Sequence, residues 1–116
     1  MFDFENLNVY TKAKDYNKKV HYFIVNTSLD RTTIDQLRRA SFSIMLNIAE
    51  GTGRSSIPDK RRFLVMSRGS AFECVAIFDY LQHINQINQL EYNSFYNDLD
   101  ELSRMLFSLM KNLRTQ

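Results

Sequence analysis

The stretch NQLEYNSFYNDLDELSRMLFSLMKNL, residues 88–113, decides the fold. Phe95, Leu99, Leu102, Leu106, Leu109 and Leu113 recur every three or four residues, which is one face of an α-helix and not the alternation of a strand. Asn88 with Glu91 three positions on reads as an Asn version of a capping box, so a helix is predicted near 89–114. Working back along the chain, Asn85-Gln86-Ile87-Asn88 ends a helix predicted near 57–86, which begins at Ser56 with Pro58 in its first turn. Its main stripe is Phe63, Met66, Ser70, Cys74, Ile77, Leu81 and Ile84. Gly51-Thr52-Gly53 stops a helix near 33–50, where Thr32 and Asp35 resemble a capping pair and Gly51 is placed to turn left-handed. Val9, Ala13, Tyr16, Val20 and Phe23 mark a helix near 6–26. Short links force antiparallel neighbours, so the chain is predicted to be all-α: an antiparallel up-and-down four-helix bundle, one domain over 1–116.

The composition agrees with that architecture. Three Gly and one Pro are too few for an all-β fold rich in tight turns. Cys74 is the only cysteine, so no intrachain disulfide can form, in keeping with a reducing compartment. The amino terminus, Met-Phe-Asp-Phe-Glu, has no basic segment followed by an apolar run, and no stretch reaches the roughly 20 apolar residues of a membrane span. A cytoplasmic protein is expected, with no membrane partner. A net charge of +2 implies little about partners; clustering of charge matters more.

Two helices are more apolar than a monomeric bundle needs. On the second, apolar residues from Ile34 to Ala49 cover roughly 240° of the helix, against the stripe of about 100° that one buried face requires. The third carries Leu64, Ala71 and Val75 on one flank and Val65, Phe72 and Ala76 further round. Surplus apolar surface of this kind marks an interface. Phe42, Met45, Leu46, Ala49, Leu64, Phe72 and Val75 are the candidate contacts of a homo-oligomer.

No catalytic constellation is legible. Neither His21 nor His83 lies in a Glu-x-x-His pattern, so the carboxylate-bridged metal site that such bundles can host is not expected. Asp79 and His83 read as an exposed i,i+4 pair, and Cys74 as a small core residue. Gly51-x-Gly53 lacks the preceding strand and the lysine-hydroxyl ending of a phosphate loop. No cofactor, metal or small-molecule substrate is expected.

The charge pattern is more informative. Arg54, Lys60, Arg61, Arg62 and Arg68 gather around the amino end of the third helix, where cations oppose the helix dipole unless an outside anion approaches. They are the candidate nucleic-acid contacts. Phe63 is assigned to the core stripe, leaving no aromatic platform beside the cluster, which argues against a reader of single strands. Lys12, Lys14, Lys18 and Lys19 read as a solvated face. Asn47, Glu50 and Ser43 form a polar edge on the second helix, and Arg38 and Arg39 are expected to pair with carboxylates such as Glu73.

Gln36-Leu37-Arg38-Arg39-Ala40, Ser43-Ile44, Asn47-Ile48-Ala49-Glu50-Gly51 and Gly53-Arg54 together resemble the four-helix bundle family encoded in intervening sequences of bacterial 23S ribosomal RNA genes, also described as ribosomal-protein-like. Leu7-x-Val9-Tyr10-x-x-Ala13, Phe63-Leu64 and Gly69-Ser70-x-x-Glu73 fit the same pattern, so the resemblance spans essentially the whole chain. Met45 departs from it, because the family commonly has Pro there, and a straighter second helix is expected. The resemblance implies a homopentamer without enzyme activity, with nucleic-acid binding the usual suggestion. It also extends to the basic, RNA-associated accessory proteins of diversity-generating retroelements. The leading expectation is therefore a non-enzymatic oligomer that binds RNA or DNA backbone. The alternatives are a protein-interaction scaffold without nucleic acid, and an enzyme whose site is assembled between protomers from Glu50, Arg54 and His83.

Overall fold

The computed structural model describes residues 1–113. A short 3₁₀ turn, Asp3–Asn6, leads into α1 (Asn8–Val25), α2 (Arg31–Thr52), α3 (Ile57–His83) and α4 (Gln89–Asn112). No strand occurs among the described residues. Each helix packs on its chain neighbours and α4 closes back on α1, giving the antiparallel up-and-down bundle. The α2–α3 seam is the most extensive and the α1–α4 seam the lightest.

The helix starts follow local chemistry. Ser56 Oγ accepts from the Asp59 N–H at 3.2 Å, and Asn88 Oδ1 from the Glu91 N–H at 2.8 Å, as their sequence positions predict. The cap of α2 differs from expectation. Asp30, not Thr32, caps it, its Oδ1 accepting from the Thr33 N–H at 2.7 Å. Two side-chain and backbone contacts from Thr33 hold the Asp30 carboxyl below its ordinary range. Asp30 and Thr32 both precede the first apolar residue, Ile34, so the local pattern does not choose between them.

Gly51 does not turn left-handed, and no described glycine has a positive φ. α2 runs through it, and unbroken through Met45, to Thr52. Gly51 is required for closeness instead: a Cβ there would stand 3.0 Å from Phe63 Cβ and 3.5 Å from the Lys60 carbonyl oxygen. The left-handed residue is Asn85, with φ 61°. The Gln86 N–H reaches the Leu81 carbonyl at 2.8 Å and the Asn85 N–H the Gln82 carbonyl at 3.1 Å, a Schellman ending that turns the chain into α4.

The core stripe of α3 is also rotated from the expected one. Leu64, Ser67, Ala71, Cys74, Phe78 and Leu81 point inward at alternating spacings of three and four, while Met66 and Ile84 are exposed and Ile77 is half-buried. Small Ser67 admits α2 closely, its Oγ donating to the Ile44 carbonyl at 2.7 Å, while Ala71 lies on the α4 side of the stripe. Phe78 stacks on Phe95 with ring centroids 4.3 Å apart, and Phe23 meets both rings edge-on. Tyr16, Ser41 and Cys74 form a buried polar chain, with Tyr16 Oη 3.2 Å from Ser41 Oγ and Ser41 Oγ 3.6 Å from Cys74 Sγ. Burial raises both the Cys74 thiol and the Tyr16 phenol above their ordinary pKa values, so both remain neutral.

The seam between α1 and α4 is polar. Asp98 pairs with Lys12 at 3.4 Å and with Lys19, and Lys12 also reaches Glu101 at 3.2 Å. Two of the four α1 lysines thus hold the bundle together and are not simply solvated. Burial alone would lower the Lys12 pKa, but Glu101 and Asp98 outweigh it and leave the group raised.

Candidate nucleic-acid interface

Antiparallel packing brings the amino end of α3 beside the carboxyl ends of α2 and α4, and the basic residues sit at that junction. Lys60 Nζ donates to the Thr52 carbonyl of α2 at 3.2 Å. The Arg61 guanidinium donates to the Met110 carbonyl of α4 at 3.2 Å. Both cations therefore lie against helix carboxyl ends, whose partial negative charge favours them. This resolves the conflict expected from the sequence: the dipole of α3 opposes the cluster, but two neighbouring dipoles support it.

Arg54 and Arg62 flank one ring. Their guanidinium carbons lie 4.5 Å and 4.7 Å from the centroid of Phe63, a buried residue. Arg54 also pairs with Glu50 at 2.8 Å, and Arg62 with Asp59 at 3.2 Å. Exposed pairs of this sort contribute at most about 1 kcal/mol. Arg68 lies two turns further along α3 than Arg61. Its Nε donates to the Ser103 carbonyl at 3.2 Å, and its guanidinium sits 4.9 Å from the Phe72 ring and 5.4 Å from the Phe107 ring. Lys60, Arg61 and Arg68 thus engage carbonyl oxygens, and no ion pair to a carboxylate occurs for them among the described residues.

The candidate oligomer contacts divide among different surfaces. Phe42 is exposed on the α1 side of α2, with Met45 and Ala49 half-buried beside it, and Leu46 is exposed on the outer surface of that helix. Phe72 is exposed and Val75 half-buried in the groove between α3 and α4. Leu64 belongs to neither: it is 6% exposed and packed in the core. On a helix apolar all round, periodicity does not say which flank turns inward.

The polar residues of α2 serve the fold. Asn47 Nδ2 donates to the Ser43 carbonyl at 2.8 Å and to Ser43 Oγ at 2.9 Å, and Ser70 Oγ donates across to Ser43 Oγ at 2.8 Å. Among the described residues, no ion pair joins Arg38 or Arg39 to Glu73. Arg38 faces α1 and Arg39 faces solvent, whereas the α3 side of α2 is occupied by Ser43 and Asn47. Glu50 and Arg54 lie at one end of the bundle and His83 at the far end of α3, roughly 40 Å away along the helix, so one chain does not unite them. Asp79 and His83 are both exposed.

Sequence reasoning missed Tyr96, Arg104 and Phe107. They form a second α4 face beside the leucine stripe, visible as the spacing of Tyr96, Ser103 and Phe107. Both aromatics are exposed; Tyr96 lines the α3–α4 groove that also holds Phe72, and Phe107 meets that groove through Arg68, whose guanidinium is 5.4 Å from its ring.

The chain is thus an antiparallel all-helical bundle with a basic end built where three helix termini meet. Residues 5–108 match the family model of the 23S rRNA-intervening sequence protein, and the chain belongs to that family. The fold is similar to the 1.70 Å crystal structure of a protein of unknown function from the S23 ribosomal protein family of Bacteroides thetaiotaomicron VPI-5482. The similarity has a TM-score of 0.83 at 25% identity, covering 89% of this chain and 98% of the other. No curated protein matches the chain. No helix among the described residues is long and apolar enough to cross a membrane.

Proposed function

We propose that the chain is a non-enzymatic, self-associating bundle that binds the backbone of RNA or DNA through the basic end formed by Arg54, Lys60, Arg61, Arg62 and Arg68. The observation that carries this reading is the state of Lys60, Arg61 and Arg68. Each is positioned by a carbonyl oxygen, and none is paired with a carboxylate among the described residues. Positioned cations with unspent charge suit phosphate oxygens, which neutralise them and release condensed counterions. Contacts to phosphate position a strand without reading it, so sequence preference is slight.

Self-association is supported by Phe42 and Leu46, large residues that are 48% and 54% exposed on one helix. The family resemblance supplies the number five. A ring would present the basic end once per protomer, and repeated weak contacts on one strand combine through effective concentration.

The second reading, a scaffold without nucleic acid, is favoured by the capping roles of Lys60 and Arg61, which give both a structural reason to be cationic. The test replaces Lys60, Arg61 and Arg62 with Gln, which can still donate to a carbonyl. RNA and DNA affinities are then measured across a salt series, with native mass spectrometry of parent and variant. Weaker binding and a shallower slope, by about 0.7 per lost contact on single strands, support the reading. Unchanged affinity and slope in a folded, still oligomeric variant would remove the cluster from the site. No binding by the parent at low salt would leave the scaffold.

A further inference from the structure

We propose that the groove between α3 and α4 is a base-stacking site for single-stranded nucleic acid, with the rings of Phe72, in the groove, and Phe107, reached from it through Arg68, as platforms. This deepens the backbone-binding reading and rests on it. Phe63, the aromatic beside the basic cluster, is buried between Arg54 and Arg62 and offers no free face. Folding supplies two from elsewhere: Phe72 from the outer flank of α3 and Phe107 from the second face of α4.

The geometry is specific. Arg68 lies over both rings, and its Nε bond to the Ser103 carbonyl holds it there. Phe72 is 57% and Phe107 54% exposed, so each keeps much of its surface free for a further flat group. Tyr96, 46% exposed, lines the same groove, which encloses about 400 Å³. Aromatic rings bordering a fixed guanidinium that pairs with no carboxylate among the described residues are what an unpaired base and its phosphate require: the ring stacks on the base face, and the arginine meets either a base face or a phosphate oxygen.

The groove also continues the basic end. Arg61 and Arg68 are seven residues apart on the same flank of α3, roughly 10 Å along the axis. A backbone held at Lys60 and Arg61 therefore enters the groove within a few nucleotides. Charge selects this occupant over a second copy of the chain. A protein partner would have to bring a carboxylate to Arg68. The exposed Phe42 and Leu46 of α2, with no fixed cation between them, suit self-association better. Arg104, at the groove edge, is paired with Asp100 at 3.1 Å and contributes little net charge.

The experiment uses the full chain and three probes of equal length: a uridine oligonucleotide, the same strand with abasic sites, and a blunt RNA duplex. Fluorescence anisotropy of a labelled probe gives each affinity. The parent is expected to prefer the uridine strand over the abasic one. Phe72→Ala and Phe107→Ala should each weaken uridine-strand binding by about five- to a hundredfold, the range for one lost base–ring stack, and leave abasic-strand binding unchanged. Phe72→Tyr should restore it, and Phe72→Leu, apolar but not a stacking platform, should not. The Lys60, Arg61 and Arg62 replacements should weaken binding to all three probes. Equal affinity of the parent for the uridine and abasic strands would overturn the stacking site while leaving backbone binding intact. Binding of none of the probes would overturn both readings. A fall in oligomer mass on Phe72→Ala would assign the groove to a second copy of the chain and also overturn the proposal.

Discussion

Replacing Phe78 with Ala tests the rotation of α3 most directly, because that residue lies off the stripe the sequence suggests. Phe78 is 1% exposed, stacks on Phe95 at 4.3 Å and meets Phe23 at 5.9 Å. A buried phenylalanine removes on the order of 150–200 Å² from water, which at about 25 cal/mol per Å² is roughly 4–5 kcal/mol. The alanine methyl keeps about 1 kcal/mol of this, while each ring pair adds roughly 0.5–1.5 kcal/mol to the loss. Partial collapse of the cavity brings the expected cost to about 3–5 kcal/mol. In a chain of this size that lowers the melting temperature by on the order of 10–20 °C. Ile77→Ala, at a half-buried site, should cost about 1–2 kcal/mol. Urea unfolding followed by far-ultraviolet circular dichroism measures both, at one fixed protein concentration so that any assembly contributes equally. If Ile77→Ala proved the costlier change and Phe78→Ala fell within about 1 kcal/mol of the parent, the described face of α3 would be wrong.

Three other expectations follow from single sites. Gly51→Ala should destabilise by about 1–3 kcal/mol because its Cβ would press on Phe63 at 3.0 Å, whereas Gly69→Ala, with open space around it, should stabilise by about 0.4–1 kcal/mol; the same urea curves compare them. Cys74 should react with a thiol reagent only at the rate of unfolding, since it is buried and its thiol pKa is raised; a fast burst in native protein would place it at the surface. Asp98→Asn should cost roughly 0.5–1 kcal/mol at neutral pH and low salt. Because the folded Lys12 pKa is raised, its contribution is complete below the ordinary lysine range and fades as pH climbs through the raised value. The parent should therefore lose stability across that alkaline window, and the variant should lose less of it; parallel curves would show that Lys12 draws nothing from Asp98.

The existence and order of the four helices, and the class of fold, were legible in the sequence because each rests on local physics. Leucine spacing in α4, the Ser56 and Asn88 caps and the short links act within a few residues of themselves. The burial of Cys74 and the surplus of apolar surface on α2 and α3 could be read in the same way. What the sequence left open was azimuth. α3 is apolar on several sides, so its own period allowed a stripe through Met66 and Ile84 as well as one through Leu64 and Phe78. The choice falls to α2, whose backbone approaches where Gly51 and Ser67 make room. The basic end was legible as a cluster, but its electrostatic sense was not. Only antiparallel packing sets the carboxyl ends of α2 and α4 beside Lys60 and Arg61. The groove that joins Arg68 to Phe72 and Phe107 is likewise a product of tertiary structure. Its residues lie up to 39 positions apart in the chain and meet only because two helices share a seam.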